Sequence, residues 1–270
     1  MSQVAALIRH ELWQRRTGII WWSIGVAALV GMDMLLYSSI KDQAAELDQA
    51  LKNMPPAIMA LFADGADFLS PAGFLSGRIY YLLLPLLFSI FAIRLGATLI
   101  GSEEKHGTLE LILARPVSRT KLLISKFVAG ALTLSILGVV ALITALVCLK
   151  PSGLTGISYS AIAITTLQAV LLASLFGMLA FTLIALGGKA RGAASGVAAL
   201  FAFGSYIIAS LESLIDWLHT PALLMPYYYY QPAKILSGAS HEPKQLIAFT
   251  GLILMLLVVS WFGFRRRDIG

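Results

Sequence analysis

The residues that could do chemistry in this chain are few and widely separated. The single cluster is Glu103-Glu104 beside His106, which could serve acid–base chemistry at a membrane interface. The loop Gly187-Gly188-Lys189-Ala190 lacks the earlier glycine and the hydroxyl residue of a phosphate-binding loop. None of the four histidines has metal-ligand spacing: they are His10, His106, His219 and His241. We therefore predict no catalytic residue, no metal site and no cofactor site in this chain.

The composition excludes a soluble domain. Of the 270 residues, 58% are hydrophobic and 13% are charged, against about 45–50% and about 25% in soluble proteins. The mean hydropathy is +0.82, so there are too few charges to cover a surface that faces water. The lone Cys148 cannot form an internal disulfide and lies in an apolar run, where it is expected to pack. We predict an integral membrane protein that forms one domain over residues 1–270.

Six apolar stretches are long enough to cross a bilayer, which takes about 20 helical residues. Each stretch is continuous, whereas the strands of a membrane barrel alternate polar and apolar residues. The predicted fold class is therefore all-α and polytopic, with two long outer loops at residues 39–78 and 212–245. The predicted transmembrane helices are residues 18–38, 79–100, 122–149, 159–186, 192–211 and 246–264.

The positive residues predict the orientation of these spans. Of the 20 Lys and Arg residues, 13 lie in the segments on the side of the N-terminus, six lie on the opposite side, and Arg94 lies within a span. Because cytoplasmic segments carry the excess of Lys and Arg, we predict cytoplasmic termini and a multi-pass protein of the plasma membrane. The net charge of +6 then reflects topology and contact with lipid headgroups, and no nucleic-acid partner is expected.

Two ionisable residues, Asp33 and Arg94, are singled out inside the predicted spans as functional candidates. Arg94 lies roughly 10 Å from the inner end of its span at 1.5 Å per residue, so its side chain can extend to the cytoplasmic interface. Asp33 lies near the outer end of the first span, within reach of headgroups or outer water. An ion-coupled carrier is expected to place charged groups near the midplane, so this pattern disfavours one.

Other polar and small residues in or near the spans have ordinary structural explanations. The run Tyr227–Tyr230 could stack a ligand, but an aromatic belt at the membrane interface is the favoured interpretation. Gln168, Thr165 and Thr166 are expected to form hydrogen bonds between helices. The spacing of Gly192 and Gly196 is typical of close helix packing, with dimerisation as the less favoured use.

A short helix is predicted in the connection between the second and third spans. Gly107 breaks the helix that leaves the membrane, and Thr108 can cap a new helix that has Glu110 in its first turn. Pro116 ends this helix because the residue before a proline is disfavoured in helical conformation. Ser118 can then cap the helix of the third span. The connection is thus predicted to hold a two-turn helix with a turn at each end.

Leu109, Ile112 and Leu113 give this short helix one apolar face. Such a face either rests on lipid or fits the groove of a cytoplasmic partner, and the turn at each end favours a partner. A second amphipathic helix is predicted over residues 1–16, lying along the membrane surface close to the first.

The connection resembles that of the ABC-2 type permease family, where it forms the coupling helix. Members of that family read E-x-x-x-G-T-L-E-x-L-L-x-x-P-V-S-R, followed by a lysine into the next span. This chain has Glu103-Glu104, then Gly107-Thr108-Leu109-Glu110, then Arg115-Pro116-Val117-Ser118-Arg119 and Lys126. Ile112 and Ala114 stand where leucines are common. The N-terminal helix and the six-span layout extend the resemblance over most of the chain.

The resemblance implies a transmembrane permease subunit of an ATP-driven exporter. Its partners would be a second permease chain, either a copy or a paralogue, and two copies of an ABC ATP-binding subunit. ATP and Mg²⁺ would bind to the ATP-binding subunits, so this chain would not be an enzyme by itself. The implied coupling residues are Glu103, Glu104, Gly107, Thr108, Leu109, Glu110, Ile112, Leu113, Arg115, Pro116 and Arg119.

Two other classes of function compete with this one. A self-sufficient secondary carrier or channel is disfavoured by the scarcity of charge near the midplane and by the lack of an obvious internal repeat. A membrane enzyme that acts on lipids would need clustered acids or histidines at one interface. Residues 103–106 form the single such cluster, and the resemblance already accounts for it as the start of the coupling connection.

Overall fold

The computed structural model describes residues 3–42, 53–63, 70–105, 107, 118–187, 190–238 and 243–266. These residues form helices and no strands, which confirms the all-α class. Six helices are long and apolar enough to cross a membrane, as predicted. They are α1 (Gln3–Asp42), α2 (Pro71–Lys105), α3 (Arg119–Leu149), α4 (Tyr159–Leu186), α5 (Ala190–Leu211) and α6 (Pro243–Arg266). We call the side where α1 begins and α6 ends the termini side, and the opposite side the far side.

Helix α4 forms the centre of the bundle and packs against α2, α3, α5 and α6. Its apolar residues occur all round the helix, as expected for a helix that is surrounded by others. Helix α1 packs mainly against α3. Helices α2 and α4 approach each other closely at Gly96 and Gly177, where an added Cβ on Gly96 would lie 2.0 Å from the Gly177 carbonyl oxygen. Small residues allow this contact between helix backbones, which is a common device in membrane proteins.

Helix α1 is one continuous helix of 40 residues, and this corrects one prediction. We expected a surface helix over residues 1–16 that was separate from the first span at 18–38. Gly18 alone does not end a helix, and α1 contains no proline that would break it. Glu11 was expected on the water-facing side of the surface helix. It is instead 4% exposed and packs into the bundle.

The far side is covered by short helical segments. The helix Pro56–Ala63 contacts α2 and α5, and the chain between α5 and α6 folds into short helices from Asp216 to Leu236. Asp33 lies at this level of α1, where its carboxylate accepts a hydrogen bond of 2.6 Å from Arg78 Nε of α2. Asp33 is therefore part of an ion pair that joins two helices.

The far-side part of α2 is a π-helix over Leu75–Leu83. Its last backbone bond runs from the Leu84 N–H to the carbonyl of Ile79, and the next residue is Pro85, which has no N–H. The Tyr80 carbonyl therefore loses both the donor four residues on and the donor five residues on. The Tyr81 carbonyl loses its α-helical donor, since that donor would also be residue 85.

Two tyrosines from the connection before α6 supply the missing donors. The Tyr230 hydroxyl donates to the Tyr80 carbonyl at 2.6 Å, and the Tyr227 hydroxyl donates to the Tyr81 carbonyl. Both tyrosines are buried, whereas Tyr229 is 40% exposed. The prediction of an interfacial belt is therefore wrong for Tyr227 and Tyr230, because these hydroxyls complete the hydrogen bonding of α2.

Replacing Tyr230 with phenylalanine should lower the free energy of unfolding by about 1–3 kcal/mol, the usual cost of leaving a buried carbonyl without a donor. The shift should appear as a lower midpoint of thermal unfolding for the detergent-purified chain. Tyr159→Phe is the matched control, because Tyr159 is 55% exposed. Equal midpoints for the two variants would contradict this role of the Tyr230 hydroxyl.

Two further predictions about packing can be compared with the structure. Gln168 of α4 donates to Gln245 of α6 at 3.0 Å, and Thr166 of α4 bonds to the Tyr80 hydroxyl at 2.8 Å, so both form the interhelical bonds expected of them. The Thr165 hydroxyl instead donates to Ala161 O within its own helix. An added Cβ at Gly192 or Gly196 would meet nothing within 4 Å, so neither glycine provides the close packing expected within this chain.

Candidate functional site on the termini side

The candidate site is the frame around residues 108–117, the segment that joins α2 to α3. Most of the predicted coupling residues lie outside the described residues: Thr108, Leu109, Glu110, Ile112, Leu113, Arg115 and Pro116. The structure describes the two edges of the segment. Helix α2 ends at Lys105, and Gly107 has φ of +67°, a left-handed conformation that suits glycine and marks the predicted helix break.

A buried group of charges ties the two edges together. The Lys126 ammonium of α3 donates to Glu103 of α2 and also to Glu11 of α1. Lys126 is 2% exposed and Glu11 is 4% exposed, so these ion pairs are largely removed from solvent. The three side chains come from three helices and lie 115 and 23 residues apart along the chain.

Arg15 completes the group, which we call the charge cluster (Glu11, Arg15, Glu103 and Lys126). Its Nε lies 3.4 Å from Glu11 Oε2. Its guanidinium also donates to the Thr98 hydroxyl at 3.0 Å and to the Thr98 carbonyl at 3.3 Å. Two cations and two carboxylates give the cluster no net formal charge, so each buried charge has a counterion, as buried ions require.

The start of α3 is fixed by a helix cap and by α1. The Ser118 hydroxyl accepts a hydrogen bond of 3.3 Å from the Lys121 N–H, which confirms Ser118 as the predicted N-cap. The Lys121 ammonium donates to the Gln3 side chain at 3.1 Å. The first turn of α3 is thus attached to the first turn of α1.

The end of α6 holds the same turn of α3 from another direction. The Trp261 indole donates to the Thr120 hydroxyl at 3.0 Å, and the Arg119 guanidinium donates to the Arg265 carbonyl at 3.3 Å. Arg265 in turn lies over the Trp261 ring, 4.7 Å from its centroid. Arg119, predicted as a docking charge, therefore makes a contact within the chain.

These contacts connect the two edges of segment 108–117 to each other. Glu103 is five residues before the segment and Lys126 is nine residues after it, and they are ion-paired to each other and to α1. A buried charged pair is costly to break, because separation leaves an uncompensated charge. The helices on both sides of segment 108–117 are therefore joined to each other and to α1 by buried ion pairs.

The cluster changes the interpretation of Glu103. The sequence placed it among charges that dock on a partner, and the structure directs its carboxylate to Lys126. Glu104 is half-buried beside it, and the backbone carbonyl of Glu104 accepts the Gly107 N–H at 3.2 Å. Asp33 and Arg94, the two charges predicted within the membrane, are not part of this site.

The sequence did not bring Glu11, Arg15 and Lys126 together in one site, although Lys126 belongs to the motif that carries the family resemblance. One signal was present, because Lys126 falls inside the predicted span 122–149 and a lysine there needs a counterion. Lys126 is instead one of the 13 Lys and Arg residues on the N-terminal side that predict the orientation. The matching signal in α1 is Glu11, an acid four residues before Arg15 in a segment that was expected to lie on the surface.

An open apolar cavity of about 280 Å³ lies between α2, α3, α4 and α6, and Leu167 and Leu254 of its lining are exposed. The described lining residues are apolar except for the hydroxyls of Ser135, Ser174 and Thr250, and none is charged. Among the described residues, no three His, Cys, Asp or Glu side chains come close enough together to hold a metal ion. Within that part of the chain, the termini-side frame is thus the richest concentration of charge.

Comparison with known proteins identifies a family for this chain. The family model described as "ABC-2 family transporter protein" matches residues 5–269, which is nearly the whole chain. No curated protein matches the chain closely enough to count as a relative. The family match extends over all six helices and over the segment between α2 and α3.

Proposed function

Because the chain belongs to the ABC-2 family of transporter proteins, it is a membrane component of an ABC transporter, and we propose that it is the permease subunit of an exporter. The observation that supports this function is the frame around segment 108–117, in which a buried charge cluster joins α1, α2 and α3. A permease that a separate protein drives needs such a frame, since motion received at one segment must reach several helices.

We place the termini side in the cytoplasm and the protein in the plasma membrane. The 13 Lys and Arg residues on the termini side, against six on the far side, support this orientation. Segment 108–117 then faces the compartment that contains ATP. The partner is an ABC ATP-binding subunit in two copies, with ATP and Mg²⁺ bound to those subunits and none bound by this chain.

The transport cycle follows from this arrangement. ATP draws the two ATP-binding subunits together, and each one pushes on segment 108–117 of a permease chain. A second permease chain, either a copy or a paralogue, completes the assembly, and a passage between the two chains opens outward. The free energy for this change comes from contacts that differ between the nucleotide states.

The apolar residues of the segment should provide most of the affinity for the ATP-binding subunit. Exposed ion pairs contribute about 0–1 kcal/mol each, whereas burying a leucine side chain contributes about 1.5–3 kcal/mol. Replacing both Leu109 and Leu113 with aspartate should therefore abolish co-purification with the ATP-binding subunit. ATP hydrolysis that depends on the permease should fall to the level of the ATP-binding subunit alone, measured in nanodiscs.

The matched control makes the same chemical change on the far side. Leu214 and Leu224 are 46% and 79% exposed there, and replacing both with aspartate should leave co-purification and hydrolysis unchanged. If the Leu109/Leu113 variant retained both properties, the coupling assignment would be wrong. Transport by the purified chain without any ATP-binding subunit would contradict the proposed function as a whole.

A further inference from the structure

Helix α2 carries an exposed stripe on the side that faces away from α4. Leu86, Ile90 and Arg94 lie one helical turn apart and are all exposed, with Leu86 at 48% and Ile90 at 50%. We call these three residues the α2 stripe. Arg94 lies about 16 Å along the helix from Lys105, at 1.5 Å per residue. The stripe therefore extends from within the termini-side half of α2 towards its far-side half.

Helix α1 flanks the stripe and fixes its depth. Trp22 of α1 contacts Phe91 of α2, with ring centroids 5.1 Å apart, and Arg15 of α1 contacts Thr98. Arg94 lies between these two contacts, one turn deeper than Thr98. Thr98 is itself one turn deeper than the level of Glu103 and Lys126, so Arg94 lies deeper in the membrane than the charge cluster.

Arg94 differs from the other charged residues of the spans because its guanidinium has no partner among the described residues. Apart from the backbone bonds of the helix, its described hydrogen bond is one that its backbone carbonyl accepts from the Thr98 hydroxyl at 2.9 Å. Asp33 pairs with Arg78, and Lys126 pairs with Glu11 and Glu103. A charge at membrane depth is stable where water, or an ion of opposite sign, can reach it.

We propose that the α2 stripe lines a water-filled passage in the assembled transporter, and that Arg94 binds the anionic group of the transported molecule there. This inference rests on the proposed function, because a second permease chain must close the passage. The stripe places two apolar side chains beyond one cation, which fits an amphiphile with a negative headgroup and an apolar body. The apolar cavity between α2, α3, α4 and α6 contains no charge and lacks this combination.

Helix α5 offers a surface on which a second permease chain can pack. Helix α5 packs against α2, and Gly192 and Gly196 on its termini-side half are exposed, with open space around an added Cβ. Glycines of this spacing allow the backbone of another helix to approach closely. A second copy packed along α5 would turn the α2 stripe from an outer surface into an inner one.

Cysteine reactivity tests the passage directly. In a Cys148→Ala background, Ile90→Cys is compared with Ile136→Cys, an isoleucine of α3 that is 40% exposed and lies at a similar distance from the termini side. The variants are purified in nanodiscs with the ATP-binding subunit and treated with water-soluble methanethiosulfonates. We expect the thiol at position 90 to react at least about tenfold faster than the thiol at position 136. Equal rates would overturn the passage, since Arg94 would then only extend to the interface.

The charge of the reagent tests the role of Arg94. The ratio of the rates for an anionic and a cationic methanethiosulfonate at position 90 should fall about tenfold when Arg94→Gln is added, because a fixed charge in a narrow site raises the local concentration of its counterion by about tenfold or more. Arg94→Lys should keep most of the ratio. An unchanged ratio in Arg94→Gln would overturn anion binding.

Two further measurements distinguish a lipid headgroup from a soluble anion as the group that binds Arg94. A lipid headgroup as the anion predicts that phosphatidylglycerol in the nanodisc slows the anionic reagent relative to phosphatidylcholine, whereas a soluble anion predicts protection by added inorganic phosphate. Protection by neither would count against Arg94 as a binding residue. The cysteine reactivities do not depend on ATP hydrolysis. They can therefore contradict the proposed passage while the coupling role of Leu109 and Leu113 is supported, and the coupling role can be contradicted while the passage is supported.

Discussion

Replacing Gly96 with valine should leave almost no folded protein. An added Cβ at Gly96 would lie 2.0 Å from the Gly177 carbonyl oxygen and 3.0 Å from its carbonyl carbon. These are backbone atoms of α4, so no side chain can move aside to relieve the overlap. Helices α2 and α4 must separate along their closest contact, and we expect a cost above the about 1–3 kcal/mol that is typical of overpacking. Size-exclusion chromatography of the detergent-solubilised chain should show aggregate in place of the monodisperse peak.

Smaller changes at the same contact provide a graded series. Gly96→Ala should also lower the unfolding midpoint, and so should Gly177→Ala, whose added Cβ would lie 2.7 Å from the Ala92 carbonyl oxygen. Gly251→Ala is the matched control, because an added Cβ on this α6 glycine would meet nothing within 4 Å. Alanine has the higher helix propensity, so the control should be neutral or slightly stabilising. A monodisperse Gly96→Val chain with the midpoint of the unaltered protein would show that the α2–α4 contact is not as close as described.

Replacing Lys126 with methionine should destabilise the chain by about 3–5 kcal/mol, the usual result of removing one partner from a buried ion pair. Glu11 and Glu103 would be left close together, with Arg15 as the remaining cation of the charge cluster. The unfolding midpoint in detergent should fall accordingly. Any permease-dependent ATP hydrolysis should fall with it, because the two edges of segment 108–117 would no longer be joined.

A variant without an unpaired charge separates the effect of charge imbalance from the loss of the ion pairs that join the helices. Lys126→Met combined with Glu103→Gln removes one cation and one acid and leaves Glu11 paired with Arg15, so much of the lost stability should return. Permease-dependent hydrolysis should stay low in this variant, since the helices would no longer be held by ion pairs. Lys121→Met changes an exposed lysine on the same helix and should shift the midpoint by less than about 0.5 kcal/mol equivalent. If Lys126→Met and Lys121→Met behaved alike, the charge cluster would have no structural role.

The spans could be predicted because one local property determines them. A continuous apolar run of about 20 residues has few alternatives to a membrane-crossing helix, and all six predicted runs fall within described helices. The cap at Ser118 and the break at Gly107 were also predictable, since each depends on the chemistry of one residue and its neighbours.

The features that were missed depend on residues far apart in the sequence. Glu11 was assigned to a water-facing surface because its own neighbours are amphipathic, whereas its position is determined by Lys126, 115 residues away. The burial of Tyr227 and Tyr230 likewise depends on the two carbonyls near Pro85 that lack donors. Gly96 and Gly177 carried no distinguishing local pattern, and only the approach of α2 to α4 shows their importance.

The chemistry around the candidate site was predicted only in part. The sequence pointed to the connection between the second and third spans, and the structure places the charge cluster at the edges of that connection. It could not show that Glu103 is directed inward, since a glutamate at the end of a helix is compatible with either direction. The sequence shows Arg94 as an isolated charge within a span. Only the structure shows that its guanidinium has no partner among the described residues.

The continuity of α1 gives the molecule a long lever arm. Asp33 lies 22 residues beyond Glu11 on this one helix, which is about 33 Å at 1.5 Å per residue. A tilt of about 5° pivoting at Glu11 would displace Asp33 by about 3 Å, more than enough to lengthen its 2.6 Å bond to Arg78 beyond hydrogen-bond range. A separate surface helix would have a hinge that absorbs such a rotation. An unbroken α1 instead amplifies a small angular change at one membrane face into the opening of an ion pair near the other.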